Sequence, residues 1–209
     1  MEKTALIANG TIQEYNVIKG LVQQHKTIIA VDGGLNHCVA MGIIPDIAIG
    51  DFDSATPEAK DASASVSFVE FPQKKDQTDL ELALLYAIEK LGARTITLFG
   101  ALGGRFDHTL ANLCLLAMVE EDIDIAIEDE SQKIFLLAKR QQIATTPGQT
   151  LSLMPIFGKV KNVSTQGLKW ELYHTTLSKD SFSVSNIAIG NTFSITKGKG
   201  HLLCCLNKQ

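Results

Sequence analysis

The stretch that decides the fold is TITLFGALGGRFDHTLANLCLLAMV, residues 95–119. It opens on Thr95–Phe99, a short β-branched apolar run typical of a buried strand in a parallel sheet. A glycine-rich turn follows, and the pattern then predicts a helix over Asp107–Val119 with Asp107 as its N-cap. A strand, a turn and a helix in this order form the repeating unit of an α/β fold.

The same alternation runs through the first two thirds of the chain. A further helix is predicted over Thr78–Leu91, because Thr78 and Glu81 form a capping box and Gly92 stands where a glycine commonly ends a helix. Apolar side chains recur within it at intervals of three and four residues, as expected for a helix that is buried on one face. The strands predicted in this part of the chain are Ala5–Ala8, Thr27–Val31, Ile47–Ile49, Val66–Phe71, Thr95–Phe99 and Ile123–Ile127.

After about residue 130 the helical period disappears, and short strands are separated by turn-forming groups. This pattern favours a small antiparallel sandwich or barrel. We therefore expect an α/β domain over 1–140, with a mostly parallel sheet flanked by helices, and a smaller all-β sandwich over 141–209. The strands predicted here are Ile134–Ala138, Gln141–Ala144, Thr150–Met154, Val160–Val163, Leu168–Tyr173, Ser181–Val184, Thr192–Thr196 and Leu202–Leu206.

The composition indicates an ordinary folded protein and argues against several classes of partner. The 209 residues are 45% hydrophobic and 20% charged, and the net charge of -4 provides no basic surface for a nucleic acid. No apolar run reaches the length of a membrane span and the amino terminus lacks a signal-peptide pattern, so we expect no membrane partner and a cytoplasmic location. The 4 cysteines lack zinc-ligand spacing and are expected as reduced thiols.

Polar clusters directly follow several of the predicted strands. In an open parallel sheet, ligands collect beyond the carboxyl ends of the strands, so these clusters are expected to meet at one edge. Each aspartate taken alone has an alternative role, because strand-end aspartates often close a turn or cap the next helix. The clusters are Asp32-Gly33-Gly34, the pair Asp51 and Asp53, and the glycine-rich turn from Gly100 to Arg105.

The paired carboxylates indicate a metal site. Asp51 and Asp53 would face the same side if the strand continued, and two like charges this close repel each other unless a cation neutralises them. Mg²⁺ is the natural candidate, because it takes one or two carboxylates together with phosphate oxygens and keeps several waters. Asp79, at the start of the predicted helix, is either a third ligand or a carboxylate favoured by the helix dipole.

The glycine-rich turn indicates an anion site. Gly103 and Gly104 allow backbone N–H groups to converge just before a helix, and Arg105 adds a forked donor suited to phosphate oxygens. The turn matches neither general nucleotide-binding glycine motif, and an ordinary strand-to-helix turn is the alternative. His108, in the first helical turn, is assigned no acid/base role. Together with the carboxylates, the turn predicts a site that holds a nucleoside triphosphate and moves its phosphorus.

The carboxyl-terminal part offers fewer candidates. Trp170, the only tryptophan, alternates with leucines and is either a core residue of the sandwich or a stacking platform for an aromatic ligand. The pair Ser185-Asn186 is either a turn or a group that hydrogen-bonds a ring. Spacing alone leaves both alternatives open.

Taken in order, these motifs resemble those of the thiamine pyrophosphokinase family. Each motif is weak singly, but the set is highly specific and spans nearly the whole chain in the family's order. The matching pieces are Asp32-Gly33-Gly34, Pro45-Asp46 leading to GDFDS at 50–54, KDQTDLE at 75–81, GALGGRFDH at 100–108, QGLKWEL at 166–172 and SVSN at 183–186.

The resemblance implies a fold, a reaction and a set of site residues. Enzymes of this family join an α/β catalytic domain to a β-sandwich and transfer a pyrophosphoryl group from ATP to the hydroxyethyl oxygen of thiamine, giving thiamine diphosphate and AMP. By this similarity the Mg²⁺ ligands would be Asp51, Asp53 and Asp79, which with Arg105 would carry catalysis. The nucleotide would be bound by Asp32, Gly33, Gly34, Thr78, Gly100, Gly103, Gly104, Arg105, Asp107 and His108. The thiamine would be bound by Asp46, Trp170, Ser185 and Asn186.

The resemblance further implies a homodimer. Each site would lie between the catalytic domain of one subunit and the sandwich of the other, so Trp170 would serve its neighbour's Asp51. This chain departs from some relatives before Asp76, where Lys74-Lys75 replaces a longer acidic approach. Asp76 is therefore left out of the expected ligand set, and the two lysines are expected to screen phosphate charge.

Two other classes of function use the same residues. A magnesium-dependent phosphatase of the aspartyl-phosphate type would use Asp51 as its nucleophile and Asp53 as its acid, and it would release inorganic phosphate. A non-catalytic nucleotide-sensing module would bind ATP without turnover. The products formed from ATP in the presence of thiamine separate these alternatives from the pyrophosphokinase.

Overall fold

The computed structural model describes residues 2–63, 65–71 and 76–208 of the chain. These residues divide into two compact units, the first ending at Glu130 and the second beginning at Ser131. The domain boundary predicted after residue 140 lies inside the second unit, because the strand Gln132–Leu136 already pairs with the last strand of the chain. Lys74 and Lys75, expected to screen phosphate charge, lie outside the described residues.

Strands and helices alternate in the first unit, as predicted. Its elements are β1 (Lys3–Ile7), α1 (Tyr15–Val22), β2 (Thr27–Val31), α2 (Gly34–Met41), β3 (Ile47–Gly50), α3 (Pro57–Ala62), β4 (Ser67–Glu70), α4 (Asp79–Glu89), β5 (Thr95–Phe99), α5 (Phe106–Met118) and β6 (Asp124–Glu128). The strands lie in the order β6-β5-β1-β2-β3-β4, and neighbouring strands are parallel. The expected parallel sheet flanked by helices is confirmed.

The sheet of the first unit carries helices on both faces. Alternate strand residues such as Ala5 and Ile7 join a buried cluster with Ile18 of α1 and Leu35 of α2. Helix α4 packs on β1, β2 and β3 through a separate set of buried side chains, which includes Leu84. Burial on both faces explains why these strands read as continuous apolar runs in the sequence.

Helix α4 begins as its sequence predicts and ends at Glu89, before the predicted end at Leu91. The Thr78 hydroxyl accepts a hydrogen bond from the Glu81 backbone N–H at 3.2 Å, and Gly92 has a φ of 67°, the left-handed conformation that closes many helices. Helix α5 begins differently from its prediction. Arg105 occupies the N-cap position without a side-chain cap, and Asp107 lies inside the first turn because its carboxylate binds the Arg105 guanidinium.

The start of α1 is closed by a side chain from the far end of the same unit. Glu130 Oε1 accepts hydrogen bonds from the backbone N–H groups of Gln13 at 2.6 Å and Glu14 at 2.9 Å. Glu14, the N-cap residue of α1, makes no capping bond with its own side chain. Glu130 thus anchors the two residues that lead into α1, from more than a hundred positions away in sequence.

The second unit is built from antiparallel strands in two sheets, which confirms the predicted all-β sandwich. Its strands are β7 (Gln132–Leu136), β8 (Arg140–Ala144), β9 (Thr150–Ile156), β10 (Val160–Gln166), β11 (Thr175–Leu177), β12 (Ser183–Ile187), β13 (Thr192–Thr196) and β14 (His201–Asn207). One sheet has the order β12-β9-β14-β7 and the other β11-β10-β13-β8. Phe193, Leu151 and Leu202 are among the fully buried residues of this unit.

One predicted strand is wrong. The segment Leu168–Tyr173 forms only an isolated bridge, between Leu168 and Ala188, and then continues as bends. The alternation of its leucines is typical of a strand. In the structure, however, the Trp170 backbone N–H and carbonyl form hydrogen bonds with the Asn186 side chain and not with a neighbouring strand. The short strand β11 follows it instead.

Two expectations about the chain as a whole can be compared with the structure. All 4 cysteines are free thiols, as expected. Within residues 2–63, 65–71 and 76–208, every helix is too short or too polar to cross a membrane.

Candidate functional site

A cleft of about 490 Å³ opens in the first unit, where the carboxyl ends of β1, β2 and β5 meet. The predicted nucleotide-binding residues that line it are Asp32, Thr78, Gly100, Gly103, Gly104, Arg105 and His108. Gly33, Gly34 and Asp107, also predicted, do not line it. Gly34 packs against the end of β1, where a Cβ atom would lie 1.8 Å from the Ile7 carbonyl oxygen, so its role is to let α2 approach the sheet.

Three carboxylates converge beside this cleft. Asp32, Asp51 and Asp79 each offer an oxygen within 4.8 Å of the others, and all three side chains are partly buried. They come from the ends of β2 and β3 and from the start of α4, which are distant in sequence. The group contains two of the three predicted metal ligands and adds Asp32, which was expected to bind the nucleotide.

Asp53 is not a member of this carboxylate group. The prediction that Asp51 and Asp53 face one side required β3 to continue, whereas β3 ends at Gly50 and Phe52 has a φ of 57°. Phe52 is 5% exposed and packs edge-on against Phe68 at 5.0 Å between ring centroids, so its burial turns the chain. The Asp53 carboxylate accepts a hydrogen bond from Ser54 Oγ at 2.9 Å, and its backbone N–H donates to Asp51 Oδ1 at 3.2 Å.

The pKa of Asp32 is shifted by its surroundings in the carboxylate group. Burial raises the pKa of its carboxyl group, and the charges of Asp79 and Asp53 raise it further. Oδ1 of Asp32 is buried, and no donor among residues 2–63, 65–71 and 76–208 satisfies it. Three acids around an unsatisfied oxygen form a set of hard ligands that fits a divalent cation such as Mg²⁺.

Gly50 permits the close approach that assembles this cluster. Its φ is 152°, and a Cβ atom there would lie 3.0 Å from both Cα and Cβ of Asp32. A larger residue at the end of β3 would push β2 and β3 apart at the point where their carboxylates meet.

The glycine-rich turn forms the opposite wall of the cleft. Three glycines in this turn have positive φ values, which residues other than glycine rarely adopt. These values are 59° for Gly100, 76° for Gly103 and 64° for Gly104. A Cβ atom on Gly103 would lie 2.6 Å from Thr11 Oγ1, whereas a Cβ atom on Gly104 would meet no atom of residues 2–63, 65–71 and 76–208 within 4 Å. Gly103 is therefore in close contact with Thr11.

Arg105 and Asp107 form a forked ion pair at the rim of the cleft. Arg105 Nε and Nη2 donate to the two Asp107 oxygens at 3.1 Å and 2.5 Å. The hydrogen bond from Arg105 lowers the pKa of Asp107 to about 2, and the same bond raises the pKa of Arg105. Because the pair leaves Nη1 outside the fork, the guanidinium is oriented and keeps donors for an anion.

In the second unit, the structure brings together Trp170 and Asn186 of the predicted thiamine-binding set. Asn186 is 1% exposed, and its amide group exchanges hydrogen bonds with the Trp170 backbone at 3.1 Å and 2.7 Å. The Trp170 ring is 53% exposed, and Lys169 Nζ lies 4.8 Å from its centroid. Ser185, with a φ of 56°, lies at the bulge where β12 pairs irregularly with β9. Asn186 thus supports the tryptophan, and the ring is presented as a platform.

Asp46 lies away from the cleft. It precedes β3, at the amino ends of the strands, where its carboxylate accepts a hydrogen bond from the Ile28 backbone N–H at 2.8 Å. The cleft lies at the opposite ends of these strands and Asp46 does not line it, so the role of Asp46 in substrate binding stays a prediction. Its observed role is to close the start of the β2 and β3 ladder.

Sequence reasoning missed several residues of the cleft wall. Asn9 and Gly10 lie just beyond the end of β1, after Ala8, and line the cleft together with Ser54 and Asn112. The signal was present, since Asn9-Gly10 follows a buried strand in the same way as Asp32-Gly33 does. Asn112 Nδ2, on α5, donates to the Ala101 carbonyl in the glycine-rich turn at 2.8 Å. No local sequence pattern indicates this contact, because the two residues are 11 positions apart.

Comparisons with known proteins point to a single family. The family description "Thiamin pyrophosphokinase, catalytic domain" matches residues 18–127, and "Thiamin pyrophosphokinase, vitamin B1 binding domain" matches residues 136–201. Thiamine pyrophosphokinase from Bacillus subtilis is 32% identical over 207 residues, covering 95% of this chain and 96% of the relative. Thiamine pyrophosphokinase 1 from rice, Oryza sativa subsp. japonica, is 31% identical over 171 residues, covering 76% of this chain and 64% of the relative.

Solved structures show the same fold. The crystal structure of the Bacillus subtilis thiamine pyrophosphokinase has a TM-score of 0.87 and 29% identity, covering 100% of both chains. That of the thiamin pyrophosphokinase from Geobacillus thermodenitrificans has a TM-score of 0.86 and 25% identity, covering 99% of this chain and 98% of the other. Yeast thiamin pyrophosphokinase, at 18% identity, shares the fold with a TM-score of 0.82, covering 99% of this chain and 86% of the other.

Proposed function

This chain belongs to the thiamine pyrophosphokinase family, and we propose that it transfers the pyrophosphoryl group of ATP to the hydroxyl group of thiamine, giving thiamine diphosphate and AMP. The proposal rests on matches to both domains of the family, in the family's order along one chain. Similarity to the Bacillus subtilis enzyme extends over nearly the full length of both proteins.

The observation that carries the proposal is the convergence of Asp32, Asp51 and Asp79 beside a cleft whose other wall is a glycine turn ending in Arg105. Acids on one side and backbone N–H groups with a guanidinium on the other suit a triphosphate with its metal ion. A cleft of about 490 Å³ is within the range of small-molecule sites.

The three carboxylates would hold the divalent ion, for which we propose Mg²⁺. Their oxygens are the hard ligands that this ion prefers, and the unsatisfied Oδ1 of Asp32 is free of competing donors among the described residues. The bound ion would neutralise negative charge on the phosphate oxygens. The acids supply its binding site while Arg105 contributes positive charge from the rim.

The chain's own residues act mainly by positioning. The glycine turn and Thr78 line the space that the phosphates would occupy. Asp107 holds the Arg105 guanidinium in one orientation. The thiamine hydroxyl oxygen attacks the β-phosphorus in line and forms a bond to it. The bond between the β-phosphorus and the AMP oxygen breaks, and the hydroxyl proton is released to solvent. Catalysis of this kind depends on orientation and electrostatic stabilisation.

We infer that thiamine stacks on Trp170 and that two copies of the chain form a homodimer with shared sites. The exposed Trp170 ring supports a stacking role, with Asn186 holding its backbone and Ser185 beside it. The second unit also exposes the large side chains of Tyr173, Phe182 and Val184, which a partner subunit could cover. The resemblance in sequence motifs is the further support for a homodimer.

The two alternative functions gain no support from the comparisons. Both domain matches and the full-length relatives carry the name of one kinase family. A phosphatase using Asp51 and Asp53 as nucleophile and acid also needs the two carboxylates to face one substrate, whereas Phe52 turns the chain between them.

The direct test is incubation with ATP, Mg²⁺ and thiamine, followed by chromatography of nucleotides and thiamine esters. We expect AMP and thiamine diphosphate in equal amounts, with no AMP when thiamine is left out. Inorganic phosphate released from ATP without thiamine would favour the phosphatase, and ATP binding without any turnover would favour the sensing module.

A further inference from the structure

A hydrogen-bonded pair of aromatic side chains lies behind the cleft wall, outside the residues assigned so far. Tyr15, the first residue of α1, places its hydroxyl 2.8 Å from His37 Nδ1, and His37 on α2 places Nε2 2.8 Å from the Gly10 carbonyl oxygen. The two rings are tilted by 47° with centroids 5.7 Å apart. The chain of contacts therefore runs from a tyrosine through a histidine to the backbone of a cleft residue.

The chemistry of the acceptor fixes the direction of these hydrogen bonds. A carbonyl oxygen can only accept, so His37 Nε2 must carry the hydrogen that reaches Gly10. Burial lowers the pKa of His37 below its ordinary value, which favours the neutral ring at pH 7. In the neutral ring with hydrogen on Nε2, Nδ1 is an acceptor, and the Tyr15 hydroxyl donates to it. The Gly10 carbonyl thus fixes the tautomer, and the hydrogen bond from Tyr15 stabilises it further.

Gly10 in turn supports the glycine turn. Its backbone N–H donates to the Gly100 carbonyl at 2.6 Å, and the next N–H, that of Thr11, donates to the Leu102 carbonyl at 2.9 Å. A Cβ atom on Gly10 would lie 2.3 Å from the Gly100 oxygen, so the two segments are in close contact. The position of residues 9–11 therefore decides the position of one wall of the cleft.

We propose that Tyr15 and His37 are positioning residues that hold the Gly10 carbonyl and, through it, the glycine turn in the geometry that binds the phosphates of ATP. The proposal rests on the proposed nucleotide-binding role of this cleft. Neither side chain lines the cleft, and both act through the Gly10 backbone.

The test compares the binding of ATP with Mg²⁺, without thiamine, to the full-length protein and to variants by calorimetry. Loss of one neutral hydrogen bond corresponds to about a fivefold effect, so Tyr15→Phe and His37→Ala are each expected to raise the Kd by about fivefold. His37→Gln is expected to restore most of the affinity, because its amide N–H occupies a place similar to that of Nε2 and donates to the Gly10 carbonyl.

His25→Gln is the matched control. His25 is also partly buried in the first unit and bonds a hydroxyl, that of Thr97, at 2.9 Å, but it does not line the cleft or contact Gly10. This variant is expected to change thermal stability and to leave the Kd for ATP within about twofold of the wild-type value. In ¹⁵N spectra of the imidazole, the Nε2–H tautomer of His37 is expected in the wild type and is expected to be depleted in Tyr15→Phe.

Unchanged ATP affinity in Tyr15→Phe, which removes a single hydroxyl and keeps the packing, would overturn the positioning role even if His37→Ala fails to fold. Equal weakening in His25→Gln would also overturn it, since the effect would then be a general loss of stability. ATP binding by the wild type without AMP formation in the presence of thiamine would refute the proposed function and leave the positioning proposal standing on the binding data.

Discussion

Asp32 and Phe52 adopt backbone conformations that L-amino acids rarely use, and both lie at the carboxylate group. Asp32 has a φ of 48° and Phe52 a φ of 57°. The Phe52 ring is buried against Phe68, which offsets the strain of its backbone. Because of this conformation, the Asp53 side chain is directed away from the carboxylate group, whereas Asp51 lies beside Asp32.

The first prediction ranks the acids. Asp51→Asn and Asp79→Asn each remove a member of the carboxylate group, and we expect kcat/KM for ATP to fall by more than the roughly 100-fold that loss of an outer ligand partner causes. Asp53→Asn is expected to lower it by about tenfold, because this side chain contacts the loop beside the group. Titration with Mn²⁺ monitored by calorimetry should show the same ranking for metal affinity. Equal loss in all three variants would contradict the geometry.

The second prediction concerns the Arg105 and Asp107 pair. Arg105 lowers the pKa of Asp107 to about 2, below the value of about 3.9 for an unfolded aspartate. Any stability that this pair contributes is therefore fully present above the unfolded pKa and is lost as the pH falls through the folded pKa of about 2. Carboxyl ¹³C titration should give this low midpoint. In Arg105→Gln the midpoint should rise toward the ordinary value, and an unchanged midpoint would exclude the ion pair in solution.

Helix α4 combines an ordinary structural signal with a functional position. Thr78 caps the helix through the Glu81 backbone N–H and also lines the cleft, and Asp79 directly after it joins the carboxylate group. The dipole at the start of this helix favours negative charge, which suits both Asp79 and a phosphate. The cap therefore sets the place where the helix begins and with it the position of a ligand.

The third prediction separates these two roles of Thr78. Thr56 provides a matched control, because its hydroxyl caps α3 by accepting from the Ala59 backbone N–H at 3.2 Å but does not line the cleft. Thr78→Ala and Thr56→Ala are each expected to lower the free energy of unfolding by about 1 kcal/mol in urea titrations. Only Thr78→Ala is expected to lower kcat/KM for ATP, and Thr78→Ser should restore it. An equal loss of activity in Thr56→Ala would show that stability alone is responsible.

Sequence patterns located elements well where burial is uniform. Strands Thr27–Val31 and Thr95–Phe99 were predicted with the observed bounds, because both faces of the parallel sheet are covered and every residue must be apolar or β-branched. The capping box at Thr78 succeeded for a similar reason, since the signal is local. The prediction of Leu168–Tyr173 as a strand failed because alternating leucines occur equally in a bent segment held by a distant asparagine.

The site was predictable in its parts but not in its geometry. Placing acids and glycines at the carboxyl ends of strands follows from the α/β fold, and the structure has Asp51 in the carboxylate group and Gly103 in the cleft wall. The inclusion of Asp32 depends on β2 and β3 being neighbours and on Gly50 letting them approach. A pattern of one sequence does not encode the turn at Phe52, which depends on long-range packing.

At the scale of the whole molecule, the fourth prediction tests the shared site of the proposed homodimer. Asp51→Asn removes an acid from the first unit, and Trp170→Ala removes the stacking ring from the second. If each site takes one of these residues from each subunit, each variant alone should be inactive, and a co-refolded equal mixture should recover about a quarter of wild-type turnover. The fraction follows because half of the random dimers are mixed and each mixed dimer has one intact site.

Light scattering on the same mixture provides the control, since recovery requires the mass of a dimer. A mixture that stays inactive while forming mixed dimers would show that Asp51 and Trp170 act within one subunit. Recovery in a mixture that remains monomeric would contradict the homodimer itself.

The hydrogen bonds that Glu130 accepts just before α1 have a consequence for folding during translation. Synthesis proceeds from the amino terminus, so Gln13 and Glu14 are made long before the carboxylate that binds their N–H groups. Until Glu130 has left the ribosomal exit tunnel, the residues that lead into α1 lack this hydrogen-bond acceptor. The first unit can therefore form this contact only after part of the second unit has already been synthesised and fills the tunnel.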